Sequence, residues 1–305
     1  MMMRYLYLSE YPNVFRAMTG LQLSEFEELI KDVLPQYAQA ERARLSRPGR
    51  KRDIGAGHPF ALSDRDHILL TVVWLRVYPT QEVLGYLFGV SDSAARSAIE
   101  RVLPVLEAAG RDTMRLPDPG RKRRRKLDDL LHDTPELAVV IDTFEQRVQR
   151  PRDKAQADKL YSGKKKAHTL KSQVAVDEET GQVVDVADSV AGPTADMTVL
   201  AHSTLMDRLP EGVGGIGDLA YVGIDKLGTG AAPRRKPRGQ ARPPDDVLYN
   251  TAFSKRRIIV EHSIGRMRRY QALTQTDRHH RHHHTSRVRA VAGLVNRQFA
   301  HRFRC

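Results

Sequence analysis

The sequence predicts an α/β domain preceded by a small all-α domain. Helical spacing of apolar residues dominates residues 1–110, and from 136 onward short β-branched runs alternate with helices. Between them, at 111–135, prolines, Gly120 and a basic run break the periodicity, which marks a linker. A chain of 305 residues has room for two cores. We therefore expect 1–110 and 136–305 to fold as separate domains joined by that linker.

In the first part, residues 22–45 place Phe26, Leu29 or Ile30, and Val33 or Leu34 at helical intervals. Ser24 and Glu27 suggest a capping box, and Pro35 a bend or break. Residues 47–58 are basic and Gly-rich, hence a loop, and Ser63 precedes a helix that runs to Leu75. Next comes TQEVLGYLFGVSDSAARSAIERVLPVLEAA, 80–109. Val83, Leu84 and Leu87 suit a short helix, Gly89 a tight turn, and Ser91 the cap of a second helix with Ala95, Ile99 and Val102 inside. This is a helix-turn-helix pattern, in which the second helix would present Ser93, Arg96 and Ser97 to a DNA groove. An αα-hairpin within a bundle fits the same spacing.

In the second part, LAVVIDTFEQ (137–146) sets five apolar residues against Asp142, so a core strand is expected to end there on a carboxylate. HTLKSQVAVDEETGQVVDVADSV reads as strands 169–176 and 183–190 around a turn at Glu179-Thr180-Gly181. Asp196 opens a helix buried through Met197, Leu200 and Leu205, and GVGGIGDLAY adds a strand ending at Asp218. A loop at 228–246 leads to helices at 247–270 and 288–299. A single Asp at a strand end is readily a turn former. Two of them outside strand ends can together hold a hard cation such as Mg²⁺.

The third acid, Glu261, is the one carboxylate in SKRRIIVEHSIGRMRRY (254–270). Arg257 and Arg268 share its helical face, while Ile259, Val260 and Met267 point toward a core. Arg257 and Glu261 would form an i, i+4 pair worth about 0.3 kcal/mol, which leaves the surrounding positive charge unexplained.

That charge is large. Lys and Arg number 50 against 37 Asp and Glu, a formal +13, and residues 255–304 alone hold thirteen basic residues against Glu261 and Asp277. A second run is Arg121-Lys122-Arg123-Arg124-Arg125-Lys126. Such a balance favours nucleic acid or an acidic surface as partner, although each run alone can be a solvated surface. Cys305, the one cysteine, excludes a disulfide within the chain and a zinc site built from several of its thiols. The longest apolar stretch, Ile68–Leu75, is too short to span a bilayer, and the N-terminus lacks a signal peptide's features. We expect a soluble cytoplasmic protein with no membrane partner. His279, His280, His282, His283 and His284 could take Zn²⁺ or Ni²⁺, but no spaced carboxylate or thiol accompanies them, and an exposed or DNA-facing loop is the reading we adopt.

Five blocks in order, IDTFEQ (141–146), YSGKKKAHTLKSQVAVD (161–177), GDLAY (217–221), VEHSIGRMRR (260–269) and HHRHHHTSRVRAVAGLVNRQF (279–299), resemble the DDE transposases of bacterial insertion sequences, most closely the group named after insertion sequence five. The resemblance covers 136–299 and, more loosely, the helical part before it. It implies a ribonuclease-H-like mixed sheet with flanking helices. It implies Asp142, Asp218 and Glu261 as catalytic acids and ligands of two Mg²⁺ ions, with Mn²⁺ as substitute and Asp142 bridging. It implies binding of an element's terminal inverted repeats, hydrolysis at its ends and joining of the 3′-hydroxyl to target double-stranded DNA. Pairing two ends calls for a homodimer or higher, working in the cytoplasm on the nucleoid. Lys164, Lys165, Lys166, Arg257 and Arg268 are the candidates for gripping phosphates. Glu145 supplies the acid that the group has three positions after the first Asp, whereas Ala195 stands where the group has His. Two other classes share these features: a catalytically silent or repurposed DNA-binding protein derived from a transposase, and a nuclease of the same fold.

Overall fold

The computed structural model describes residues 2–46, 49, 53, 60–120 and 129–302. The expected loop at 47–58, except for two positions, and the basic run at 121–126 lie outside the described residues. In chain order the helices are α1 Tyr5–Leu8, α2 Pro12–Thr19, α3 Leu23–Leu45, α4 Asp64–Val77, α5 Gln81–Phe88, α6 Asp92–Arg111, α7 Lys154–Leu160, α8 Asp196–Ser203, α9 Leu205–Arg208, α10 Pro244–Met267 and α11 His284–Arg302. The strands are β1 Leu137–Arg147, β2 Tyr161–Ser162, β3 Ala167–Asp177, β4 Val183–Val186, β5 Val190–Ala191, β6 Val213–Ile216 and β7 Gly230–Ala231.

The chain forms two compact units. One holds the described residues of Met1–Thr113, Arg269–Gln275 and Arg289–Cys305; the other holds those of Met114–Arg268 and Thr276–Val288. Helix α11 thus starts in one unit and continues in the other.

The first unit is helical. Phe15, Phe26, Val33, Leu69, Val72, Val73, Leu84, Phe88, Ala95 and Val102 are wholly buried in it, each large side chain contributing about 1.5–3 kcal/mol. Ser63 caps α4 by accepting from the Asp66 N–H at 3.2 Å. The capping box of α3 is built from Gln22 and Glu25 rather than Ser24 and Glu27, because the helix starts at Leu23, and it runs uninterrupted through Pro35. Helices α5 and α6 meet at Gly89, whose φ of +63° suits glycine, and Ser91 caps α6 through the Ala94 N–H. A Cβ on Gly85 would stand 2.7 Å from the Val90 carbonyl, so α5 can approach this turn only without a side chain. Val83 is exposed.

The second unit is a mixed α/β fold. Its sheet runs β2-β3-β1-β6-β7, with β4 and β5 also on β3. β1 pairs antiparallel with β3 from Val139↔Asp177 to Arg147↔Thr169, and parallel with β6 from Leu137↔Val213 to Val140↔Ile216. Val139, Ile141, Ala175, Val184, Leu200, Leu205, Val213 and Tyr221 form one core cluster. Helix α10 packs on β1 and β3.

Three strand expectations change. β1 does not stop at Asp142 but continues to Arg147, because β3 supplies hydrogen-bonding partners along its whole length. Strand 183–190 is interrupted and returns as β4 and β5. β6 ends at Ile216, two residues before Asp218, which instead caps the 3₁₀ turn Leu219–Tyr221. The final helix begins at His284 rather than Val288 and buries that histidine. No described helix is long and apolar enough to cross a membrane.

Candidate active site

An open cleft of about 760 Å³ lies in the α/β unit, lined among others by Asp142, Glu145, Lys164, Lys165, Lys171, Asp196, Glu261 and Arg268. The sheet creates it. β6 ends opposite Val140, so two residues later β1 has lost its parallel neighbour while keeping β3. Asp142 occupies that place, where a strand continues alone on one side and leaves a crevice.

The Asp142 side chain is 23% exposed, and its carboxylate accepts from the Thr143 N–H at 2.8 Å. Burial pushes its pKa up to about 6, with the Asp218 and Asp196 carboxylates pushing the same way, against the Thr143 N–H and Arg257. Asp218 and Asp196 thus both disfavour the charged form of Asp142. Burial, and then Asp196, Asp142 and Asp218, also raise the Tyr221 phenol well above its ordinary value.

Asp218 is held by its turn, accepting from the Ala220 N–H at 2.8 Å. Glu261 reaches the cleft from α10, where it is exposed. Arg257, one turn earlier, does not form the expected pair with Glu261; its guanidinium lies 3.9 Å from Asp142. Ion-pairing with a half-buried, crowded carboxylate outweighs a solvated helical pair. Its Nε is buried without a hydrogen-bond partner among the described residues.

Of the basic candidates, Lys164, Lys165 and Arg268 line the cleft, whereas Lys166 is exposed beside it with φ +48°. Lys171 was not anticipated. From β3 it donates to Asp196 Oδ1 at 2.6 Å and to the Thr194 carbonyl, while Thr143 Oγ1 donates to the same Asp196 oxygen at 3.2 Å. Thr169 Oγ1 donates to Glu145 at 2.6 Å. Ala195 precedes α8 at the cleft wall and gives that helix no side-chain cap.

The histidine run divides. His280, His282 and His283 are exposed, as expected, but His284 is buried, bonded through Nδ1 to Ser189 at 2.8 Å and through Nε2 to Gln146 at 2.9 Å. Burial, and then Arg287, lower its pKa to about 3, so it stands neutral in the fold.

In the helical unit, Ser93, Arg96 and Ser97 are all exposed on the first turns of α6. Arg96 donates to Glu100 at 2.8 Å.

Residues 141–296, just over half the chain, match the family model described as DDE superfamily endonuclease. The chain belongs to the DDE superfamily of endonucleases. Residues 60–112, which contain α4, α5 and α6, match the helix-turn-helix of that superfamily, which resolves the choice between that motif and an ordinary hairpin. A protein named as a transposase for insertion sequence element IS702, from Microchaete diplosiphon, is 26% identical over 287 residues, 94% of each chain. One named as a transposase for insertion sequence element IS112, from Streptomyces albus G, is 27% identical over 263 residues, 86% of each chain. No solved structure matches the chain.

In this DDE superfamily chain the cleft is a site of hard oxygen donors, the chemistry that suits Mg²⁺ or Mn²⁺, with Arg257 supplying positive charge beside Asp142. Among the described residues, no three carboxylate or histidine side chains converge tightly enough to enclose an ion. Sequence reading missed Asp196 and Lys171 as cleft residues. The signal was a lysine inside an otherwise core-forming strand, HTLKSQVAV, a charge that needs a buried partner.

Proposed function

We propose that this protein is the DNA transposase of an insertion sequence. It would bind the element's terminal inverted repeats, cleave at its ends and join the 3′-hydroxyl to target DNA. The observation that carries this reading is the cleft itself: Asp142, Asp196 and Glu261 in one crevice rimmed by Lys164, Lys165 and Arg268. Acids alone would repel a phosphodiester; the basic rim holds its neighbours while the acids address one position.

Asp142, Asp218 and Glu261 would hold two Mg²⁺ ions, for which Mn²⁺ would substitute. A metal held by these residues would supply activation of the attacking oxygen and charge neutralisation at the phosphate. The chain's own residues do the rest. Thr143 fixes the Asp142 carboxylate through its N–H, and Lys171 holds Asp196 against the wall. Arg257 compensates Asp142 and turns to phosphate as substrate enters, and Lys166 reaches the flanking backbone with Lys164 and Lys165. Ser93, Arg96 and Ser97 read or grip the terminal repeat from α6. Two ends must be paired, so the working form is at least a homodimer on nucleoid DNA in the cytoplasm.

The test is cleavage of DNA carrying the element's ends, with Mg²⁺ or Mn²⁺, by wild type and by Asp142→Ala. Metal-dependent nicking that falls by on the order of a thousandfold or more in the variant supports the acid site. Joined products separate transposition from simple nuclease action. Binding without cutting by both proteins favours a silent, DNA-binding descendant, with Ala195 the first position to restore to His.

A further inference from the structure

Three glycines line the cleft, Gly163, Gly192 and Gly265, and only one has a reason in the fold. A Cβ on Gly192 would collide with Thr169. Apart from their own neighbouring backbone, Gly163 and Gly265 have nothing within 4 Å of where a Cβ would stand, and neither has positive φ. Gly265 is the more telling of the two. It sits in the last turn of α10, in helical conformation, where glycine costs stability relative to alanine. The fold neither requires nor benefits from the missing side chain.

The positions share a logic. Gly265 is four residues after Glu261 and three before Arg268, the C-cap of α10, and all three line the cleft. Gly163 is followed by Lys164 and Lys165 in the turn after β2, and these line it as well. Each bare backbone segment therefore sits beside cations suited to phosphate. A backbone without side chain is what close approach by a ligand calls for.

We infer that one strand of the DNA passes between Gly163 and Gly265, and that the bare face of α10 at Gly265 sets how closely its phosphodiester approaches Glu261. The inference rests on the reading of the cleft as the DNA-cutting site. Gly265 is a positioning residue: adding a side chain there holds the strand away from the acids without touching them.

The test uses the full chain and supercoiled plasmid with Mg²⁺ or Mn²⁺, comparing wild type, Gly265→Ala, Gly265→Leu and Asp142→Ala. Gly265→Ala should raise the unfolding midpoint by roughly 2–4 °C through helix propensity. Its nicking should fall about tenfold, and that of Gly265→Leu about a hundredfold, with duplex affinity unchanged. A residue with only a structural role would not combine gained stability with lost activity. Wild-type nicking by Gly265→Leu overturns the inference. An independent readout is maleimide labelling of Gly265→Cys in a Cys305→Ser background, with and without a gapped linear duplex. Protection by the DNA is expected, and unprotected labelling overturns the inference whether or not the protein cuts. Failure of the underlying functional reading looks different: wild type then nicks no faster than Asp142→Ala.

Discussion

Arg256 and Arg257 are neighbours in α10, yet they belong to two unlike regions. Arg256 is buried and donates four hydrogen bonds, two to Glu178 at 2.8 and 2.6 Å, one to Thr134 at 2.6 Å and one to the Pro135 carbonyl at 2.8 Å. With Ser263 bonded to the Gly181 carbonyl at 2.7 Å, this side of the helix is a closed polar network that fixes α10 to the turn between β3 and β4. Arg257 turns toward Asp142, reaches it only at 3.9 Å and has no partner for its Nε among the described residues. On one side of the helix Arg256 and Ser263 find their hydrogen-bond partners within the protein. On the other, Arg257 stands beside an Asp142 carboxylate whose charged form burial, Asp218 and Asp196 disfavour. The first pattern is scaffold, and the second is what a site awaiting a phosphate or a cation looks like.

The two arginines provide the sharpest way to break this contrast. Arg256→Ala should lose about 3–5 kcal/mol of stability, because the largely buried Glu178 carboxylate loses the guanidinium that compensates it. Arg257→Ala should leave the urea midpoint nearly unchanged while plasmid nicking falls by on the order of a hundredfold. Equal loss of stability in both would remove the distinction.

A smaller effect sharpens it. The raised pKa of Asp142 means that its ionised form is disfavoured in the fold. Its contribution is fully favourable below the unfolded value of 3.8 and is lost as pH rises through about 6. Asp142→Asn should therefore be more stable than wild type by about 2 kcal/mol above pH 6 in chelating buffer, although it should not cut DNA. The gain should shrink as the pH falls toward 3.8, and a constant or opposite difference in denaturant titrations would contradict it.

A further effect concerns the scaffold. His284 has a depressed pKa, so its contribution is present above the ordinary value of 6.5 and is lost as pH falls toward about 3. His284→Gln should be less stable than wild type at pH 7, and that deficit should narrow as the solution is acidified. Parallel pH–stability curves would show that His284 does not titrate with unfolding.

Much of this architecture was legible from local rules. The caps at Ser63 and Ser91, the turn at Gly89 and the inner face Ala95, Ile99 and Val102 follow from spacing and side-chain chemistry within a few residues. Asp142, Asp218 and Glu261 were visible as acids set against apolar runs or within a basic helix. What escaped was every feature set by a partner distant in sequence. β1 runs past Asp142 because of β3, and His284 is buried because Ser189 and Gln146 receive it. Lys171 and Asp196 become a pair only when β3 and α8 meet at the cleft wall.

By itself the sequence determined the strongly basic balance and the helix-turn-helix pattern, because periodicity and composition act over short stretches. Tertiary structure alone decided that Arg257 turns to Asp142 rather than Glu261, that Asp196 joins the acids, and that Gly163 and Gly265 stand bare in the same cleft. Burial, charge proximity and empty space are properties of neighbours in three dimensions, and no local rule encodes who those neighbours will be.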